Sequence, residues 1–265
     1  MIKLLIIICT RGDSIYLEDL LNSLRHQIEQ TKFQIRIGVS SNTSTIGCNL
    51  QKIDFLNSAP KGFASARQHS LKLREAQEAV IFLDDDNLIP KFWLESLIGE
   101  IQKSPKSLLK GRVGYLDTDF VALRELSDGL NSRQHVKTAG MSNLYIPSHL
   151  FDSNQIYFDT KFDKGGEDTE LTHRLTQHGY SIKVSNNFSV FEIVNDSKSN
   201  SNYLIARRRD SEFIFSKVIA LHSPFFLRVH RFFKIFFKKI PQILRRPVSV
   251  MDDIRNHFGI LFLKS

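Results

Sequence analysis

Ala79-Val80-Ile81-Phe82-Leu83-Asp84-Asp85-Asp86-Asn87 is the stretch on which the fold turns. Its apolar residues run without alternation from Ala79 to Leu83, which fits a strand buried on both faces, as in a parallel sheet. The run stops on three adjacent carboxylates, which repel one another unless a cation or hydrogen-bond donors offset them. Successive side chains of an extended chain point opposite ways, so Asp84 and Asp86 share a face. Hard divalent cations take oxygen ligands, so this pair suits one Mg²⁺ or Mn²⁺ bridging a diphosphate. The alternative is a solvated acidic turn before the helix that Pro90 opens, expected to run through Ile101.

Outward from this stretch, strands and helices alternate. Lys3–Thr10 is a second continuous apolar run, bounded by Arg11-Gly12-Asp13, and reads as a buried strand rather than a signal peptide. Tyr16–Gln27 carries Leu17, Leu20, Leu21 and Leu24 at helical spacing, with Ser14 as its expected cap. Phe33–Val39 alternates as a strand, and Leu50–Leu56 is a short further one. Gly62–Gln77 has a helical pattern. This order is that of an α/β fold. In the second half, Leu109–Leu116, Phe120–Leu123, Ile182–Val184 and Phe188–Phe191 are strand candidates, and Asn143–Pro147 begins a further element. Leu126–Lys137 reads as a polar loop, with Arg133 and His135 in a stretch able to cover a substrate. Glu167–His178 reads as a helix ended by Gly179.

Gly165-Gly166-Glu167-Asp168 opens that last helix. A carboxylate at a helix N-terminus is favoured electrostatically, so capping explains it. The other reading holds one carboxylate as a general base, with the glycines letting backbone approach a ligand. His26, His69, His149, His173 and His178 have no metal-ligand spacing. The two cysteines, Cys9 and Cys48, suit a reducing compartment and exclude a disulfide framework or a multi-cysteine zinc site. No apolar run is long enough to span a bilayer.

Several motifs in order resemble the family 2 glycosyltransferases, inverting enzymes of the GT-A fold. They are Ile6-Ile7-Ile8-Cys9-Thr10-Arg11-Gly12-Asp13, Gly62-Phe63-Ala64-Ser65-Ala66-Arg67 and Phe82-Leu83-Asp84-Asp85-Asp86 with Pro90 and Trp93-Leu94. Gly140, Asn143, Pro147 and Gly166-Glu167-Asp168 with Arg174-Leu175 follow, over roughly residues 3 to 210. The resemblance implies a Rossmann-like, mostly parallel central sheet flanked by helices. It implies that Thr10, Arg11, Ser41, Arg67, Asp84 and Asp85 bind a nucleotide-sugar donor. Asp86 and Asp84 are then the ligands of Mg²⁺ or Mn²⁺. Asp168 resembles the catalytic base, with Glu167 beside it in acceptor binding, and Gly140, Asn143 and Trp93 lie on the acceptor side. Ser40-Ser41-Asn42 stands where the family places an acidic residue after its second strand, so hydroxyls and an amide replace a charge there.

The net charge of +8 is local. Between Phe213 and Val250 lie Lys217, Arg228, Arg231, Lys234, Lys238, Lys239, Arg245 and Arg246 with no Asp or Glu, which leaves the rest of the chain formally neutral. From Phe225 to Ile240 a broad phenylalanine face opposes cations at a helical period, between Pro224 and Pro241. Such a helix lies in a bilayer interface against anionic headgroups, or packs on the body or on a second subunit of a homo-oligomer. The expected organisation is a catalytic domain over 1–210 and an amphipathic helical extension over 211–265, with residues 224–246 on an anionic membrane surface and no nucleic acid partner. The implied function is sugar transfer from a nucleotide donor to a glycan or glycolipid in bacterial surface polysaccharide or lipopolysaccharide assembly. The enzyme would be cytoplasmic and peripheral to the inner face of the membrane. A sugar-phosphate nucleotidyltransferase and a catalytically degenerate membrane-associated scaffold are the competing readings.

Overall fold

The computed structural model describes residues 2–12, 14–43, 53–116, 135–152, 155–193 and 217–218. All but the last two belong to a compact unit, Met1–Asn200. The amphipathic tail, Arg133, the Phe120–Leu123 candidate and Cys48 lie outside the described residues.

Nine strands form one sheet among the described residues. They are β1 (Lys3–Thr10), β2 (Gln34–Ser41), β3 (Ile53–Leu56), β4 (Ala79–Asp84), β5 (Asn87–Leu88), β6 (Leu108–Leu116), β7 (His135–Val136), β8 (Leu144–Ile146) and β9 (Ile182–Ile193). Their order is β3-β2-β1-β4-β8-β6-β9-β5, with β7 also paired to β9. β1 to β4 are mutually parallel, β8 runs antiparallel between β4 and β6, and β6 and β9 are parallel. Five helices, α1 (Leu17–Glu29), α2 (Phe63–Ser70), α3 (Trp93–Lys103), α4 (His149–Asp152) and α5 (Glu167–Gln177), flank it.

The continuous apolar runs are explained by burial on both faces. On β1, Leu4, Ile6 and Ile8 join α1 and α3 in one core, while Leu5 and Ile7 join residues of β8 and α5 in another. The two expected strands at Ile182–Val184 and Phe188–Phe191 are one strand, β9, whose register against β6 shifts between Gly111 and Val113. That irregularity falls opposite the polar Ser185-Asn186-Asn187 that broke the apolar pattern in the sequence. The helix expected over Gly62–Gln77 ends at Ser70 and continues as a 3₁₀ turn over Leu71–Leu73, after which Arg74 is extended. Pro90 does not start α3. Its carbonyl accepts from the Trp93 amide at 3.0 Å, and the helix begins there. Gln27 of α1 serves that helix start, its Oε1 accepting from the Leu94 amide at 2.9 Å and its Nε2 donating to the Pro90 carbonyl at 3.0 Å. Ser14 is no helix cap in the usual sense. α1 begins after Tyr16, and the Ser14 hydroxyl donates to the Asp85 carbonyl at 2.8 Å.

Trp93 and Asn143 correct the acceptor-side expectation, because both are inside the protein, at 1% and 0% exposure. Asn143 joins four elements. Its amide donates to the Phe82 carbonyl at 2.7 Å, its carbonyl accepts from the Gly111 amide at 2.9 Å, its Oδ1 accepts from Trp93 Nε1 at 3.2 Å and its Nδ2 donates to the Phe188 carbonyl at 2.6 Å. Its φ of 57° is in the left-handed region, which asparagine tolerates better than most residues. Gly111 is required beside it, since a Cβ there would meet the Phe188 backbone oxygen and ring.

Asn143→Ala should therefore leave the indole N–H and the Phe188 carbonyl without their partner, at a cost of about 1–3 kcal/mol. Chemical denaturation should show a lower midpoint, and an unchanged midpoint would remove Asn143 from the frame.

Candidate functional site

The carboxyl ends of β1, β2 and β4 terminate side by side, at Thr10, Ser41 and Asp84. In an open α/β sheet that edge is where ligands bind. The Thr10 hydroxyl donates to Asp85 Oδ2 at 2.5 Å and accepts from the Gly12 amide at 2.9 Å. Gly12, at φ 86°, lies so close to Thr43 that a side chain would collide with the threonine hydroxyl. Ser41 is fully buried, and its hydroxyl pairs with that of Thr43 at 2.9 Å. Thr10 and Ser41 thus shape the loops after β1 and β2. Arg11 is exposed beside them.

The three aspartates have separate surroundings. Asp84, with a side chain 42% exposed, has its amide held by Asn87 Oδ1 at 3.0 Å. Asp85 holds the β1 loop through Thr10 and Ser14. Burial pushes the Asp86 carboxyl up to about 7, and the negative charges of Glu192, Asp84 and Asp85 add to that. Glu192 reaches the cluster because β5 pairs antiparallel with β9, setting Asn87 opposite it.

Arg67 of α2 joins this edge to the opening of α5. One guanidinium nitrogen pairs with Glu167 Oε1, and the other lies 3.6 Å from Asp84 Oδ1. The Arg67 side chain is 13% exposed. Burial opposes its charge, but Glu167, Asp84 and Asp168 hold it protonated more firmly than usual. Burial raises the Glu167 carboxyl against the pull of Arg67, with Asp168 adding to the rise. Glu167, expected beside the acceptor, is instead 3% exposed and engaged with Arg67. Asp168 is half-buried. Its Oδ1 accepts from the Thr169 amide at 2.6 Å, and its Oδ2 lies 3.6 Å from where a Cβ of Gly140 would stand. Gly140 is exposed and sits beside that oxygen.

Asp163 was not singled out by the sequence, yet it positions α2. Its Oδ1 accepts from the Ser65 amide at 2.6 Å, its Oδ2 from the Ser65 hydroxyl at 2.7 Å and its carbonyl from the Phe63 amide at 3.0 Å. It supplies from 98 residues away the N-terminal cap that Gly62 cannot provide. Gly62, at φ 114°, has no room for a side chain against the Asp163 carboxylate. No local pattern could signal this, because the helix and its cap are distant in sequence. Cys9 neighbours Asp84 in register, and burial raises its thiol to about 11, so it is no nucleophile.

The described residues include no group of three or more His, Cys, Asp or Glu that could hold a metal. The carboxylates of Asp84 and Asp86 nevertheless fit a divalent cation in kind. They are hard oxygen donors in a crowded negative cluster, and Mg²⁺ commonly takes one or two carboxylates and completes its shell with waters and substrate phosphates.

The family model described as glycosyl transferase family 2 matches residues 5–166. No curated protein matches the chain. Among solved structures, the chain is similar to TarS of S. aureus, with a TM-score of 0.52 and 18% identity over 83% of this chain and 42% of that one. It is also similar to GalNAc-T7 solved with UDP, GalNAc and Mn²⁺, with a TM-score of 0.61 and 12% identity over 83% of this chain and 48% of that one. The chain spans less than half the length of either. The mostly parallel sheet flanked by helices is the GT-A fold.

The Asp86 carboxyl gives a signed test. Its folded pKa, about 7, is above the ordinary 3.8, so its ionised form opposes folding. The penalty is absent below the unfolded value, grows as pH rises and is complete above about 7. Asp86→Asn should raise the melting temperature by roughly 2–8 °C at pH 8 and by little near pH 4. Saturating Mn²⁺ should narrow that gap by stabilising the unmodified protein alone. Melting curves at the two pH values, with and without the cation, provide the measurement.

Proposed function

We propose that this chain, which belongs to glycosyl transferase family 2, moves a sugar from a nucleotide-sugar donor to a hydroxyl of a glycan or glycolipid acceptor with inversion at the anomeric carbon. The observation that carries this reading is the Arg67 guanidinium, shared by Asp84 at the strand edge and Glu167 at the opening of α5. A donor diphosphate at the edge and an acceptor hydroxyl at α5 would then meet around one fixed charge.

In this reading Asp168 takes the proton of the acceptor hydroxyl as its oxygen attacks the anomeric carbon. The bond to the diphosphate oxygen breaks in the same displacement, and its electron pair leaves with the nucleoside diphosphate. The Thr169 amide on Oδ1 orients the carboxylate, and Oδ2, beside the exposed Gly140, is the oxygen assigned to the acceptor. Glu167 fixes Arg67, and Arg67 faces the developing negative charge of the leaving group. Asp86 and Asp84 would hold Mg²⁺ or Mn²⁺, which neutralises charge on a departing diphosphate when bound. One displacement needs no sugar–enzyme intermediate, unlike a retaining glycosidase with its two carboxylates flanking the bond.

The proposal extends to the whole chain, with 1–210 catalytic and 211–265 an extension that rests on the cytoplasmic face of a membrane through residues 224–246. Composition supports this, through the clustered cations and phenylalanines there. Among the described residues no helix is long and apolar enough to cross a membrane. A glycolipid acceptor for surface polysaccharide would be met at such a surface.

The donor chemistry is tested by incubating the purified protein with Mn²⁺ and a panel of nucleotide sugars and measuring nucleoside diphosphate release with acceptor extracts. Asp168→Asn should keep donor affinity and lose transfer by roughly 10²-fold or more. Near-normal transfer by that variant would contradict the base assignment. For the tail, replacing Phe232, Phe233, Phe236 and Phe237 together with Ser should abolish pelleting with anionic liposomes while donor affinity persists. A change in oligomeric state with pelleting intact would assign the tail to protein packing.

A further inference from the structure

Five large apolar side chains are exposed among the described residues: Ile15, Phe55, Phe63, Phe92 and Tyr157. The Tyr157 ring is covered by the Arg174 guanidinium at 3.7 Å and Phe92 by Lys91 at 5.4 Å. Phe63 is 59% exposed, and no ring or cation among the described residues lies over it.

Its position is fixed with unusual care for an exposed ring. Gly62 ahead of it admits no side chain, its amide donates to the Asp163 carbonyl at 3.0 Å, and Ser65 two residues on is held twice by the Asp163 carboxylate. The segment leading into it is tied to the end of β2, where the Ala59 amide donates to the Ser41 carbonyl at 2.9 Å. Phe63 and Arg67 stand four residues apart on α2, and residues at that spacing share a helix face. An apolar ring therefore stands on the same face as the guanidinium that reaches Asp84, next to the strand end where a nucleoside would lie. Ser41 at that strand end is fully buried with its hydroxyl on that of Thr43, so its side chain does not face a base.

We infer that Phe63 is a binding residue for the donor's nucleobase, giving it a stacking surface beside the end of β2. Aromatic stacking accepts any base, because each has a π-face, and adds affinity without reading hydrogen-bond patterns. A rigid ring loses little conformational freedom on binding, which is the benefit of the Asp163 clamp beneath it. The inference rests on the donor reading above.

The test uses the full chain with Mn²⁺ and compares UDP, GDP, CDP and ADP with pyrophosphate, which has no base. Phe63→Ala should weaken the preferred nucleoside diphosphate by roughly tenfold and leave pyrophosphate binding unchanged. Phe63→Trp should retain nucleotide affinity. The only native tryptophan, Trp93, is buried, so the added indole reports from the rim. Its emission should be quenched by the nucleoside diphosphate and not by pyrophosphate. Equal loss of both ligands in Phe63→Ala, or no loss of either, overturns the assignment. So does a raised KM for acceptor alone, which would move the ring to the acceptor side. An unmodified protein that binds pyrophosphate as well as every nucleoside diphosphate overturns the stacking role only. One that binds none of the nucleotides overturns the donor reading with it.

Discussion

The guanidinium of Arg67 is the point on which the site depends. It is almost buried and it faces carboxylates from two different elements. Taking such a charge out of water is costly, and a buried pair is weak grounds for stability. Its value is positional. Removing Glu167 would take away the buried partner of the cation, and removing Arg67 would leave the buried Glu167 carboxylate without its counter-charge. Each partner therefore enforces the location of the others, and the strand edge and the start of α5 keep a fixed separation.

That arrangement requires α2 to be set down accurately, and the helix cannot do this alone. It has eight residues, begins on a glycine and makes no cap of its own. Short helices are marginal without tertiary support. Asp163 supplies the cap from the loop that leads into α5, so the loop that delivers the chain to Glu167 and Asp168 also fixes the helix that carries Arg67. The two sides of the ion pair are built from one local contact.

Much of the frame was legible in the sequence because burial on both faces leaves a plain signature. The runs Lys3–Thr10 and Ala79–Leu83 could only be central strands, and their order with Leu17–Leu24 between them gives the α/β layering. The joining of Ile182–Ile193 into one strand was not legible, since Ser185-Asn186-Asn187 interrupts the apolar pattern at a register shift. Residue roles were harder still. Trp93 and Asn143 belong to motifs near the site in sequence, yet they bond to each other inside the core. Motif membership reports that a residue is needed, and the need here is architectural. Asp163 and Glu192 left no local trace because each acts on an element far away in the chain.

The carboxylates of the site show how one residue type is given different work by its surroundings. Asp85 is held by hydroxyl donors and shapes the β1 loop. Asp86 is half-buried among like charges, which raises its proton affinity and makes a divalent cation a favourable counter-charge. Glu167 is buried against an arginine and is engaged as its partner. Asp168 is half-buried, held on one oxygen by Thr169 and with the other beside Gly140. A base must reach its proton before its pKa matters, so in the proposed reading the assignment of Asp168 rests on the orientation of its carboxylate by Thr169.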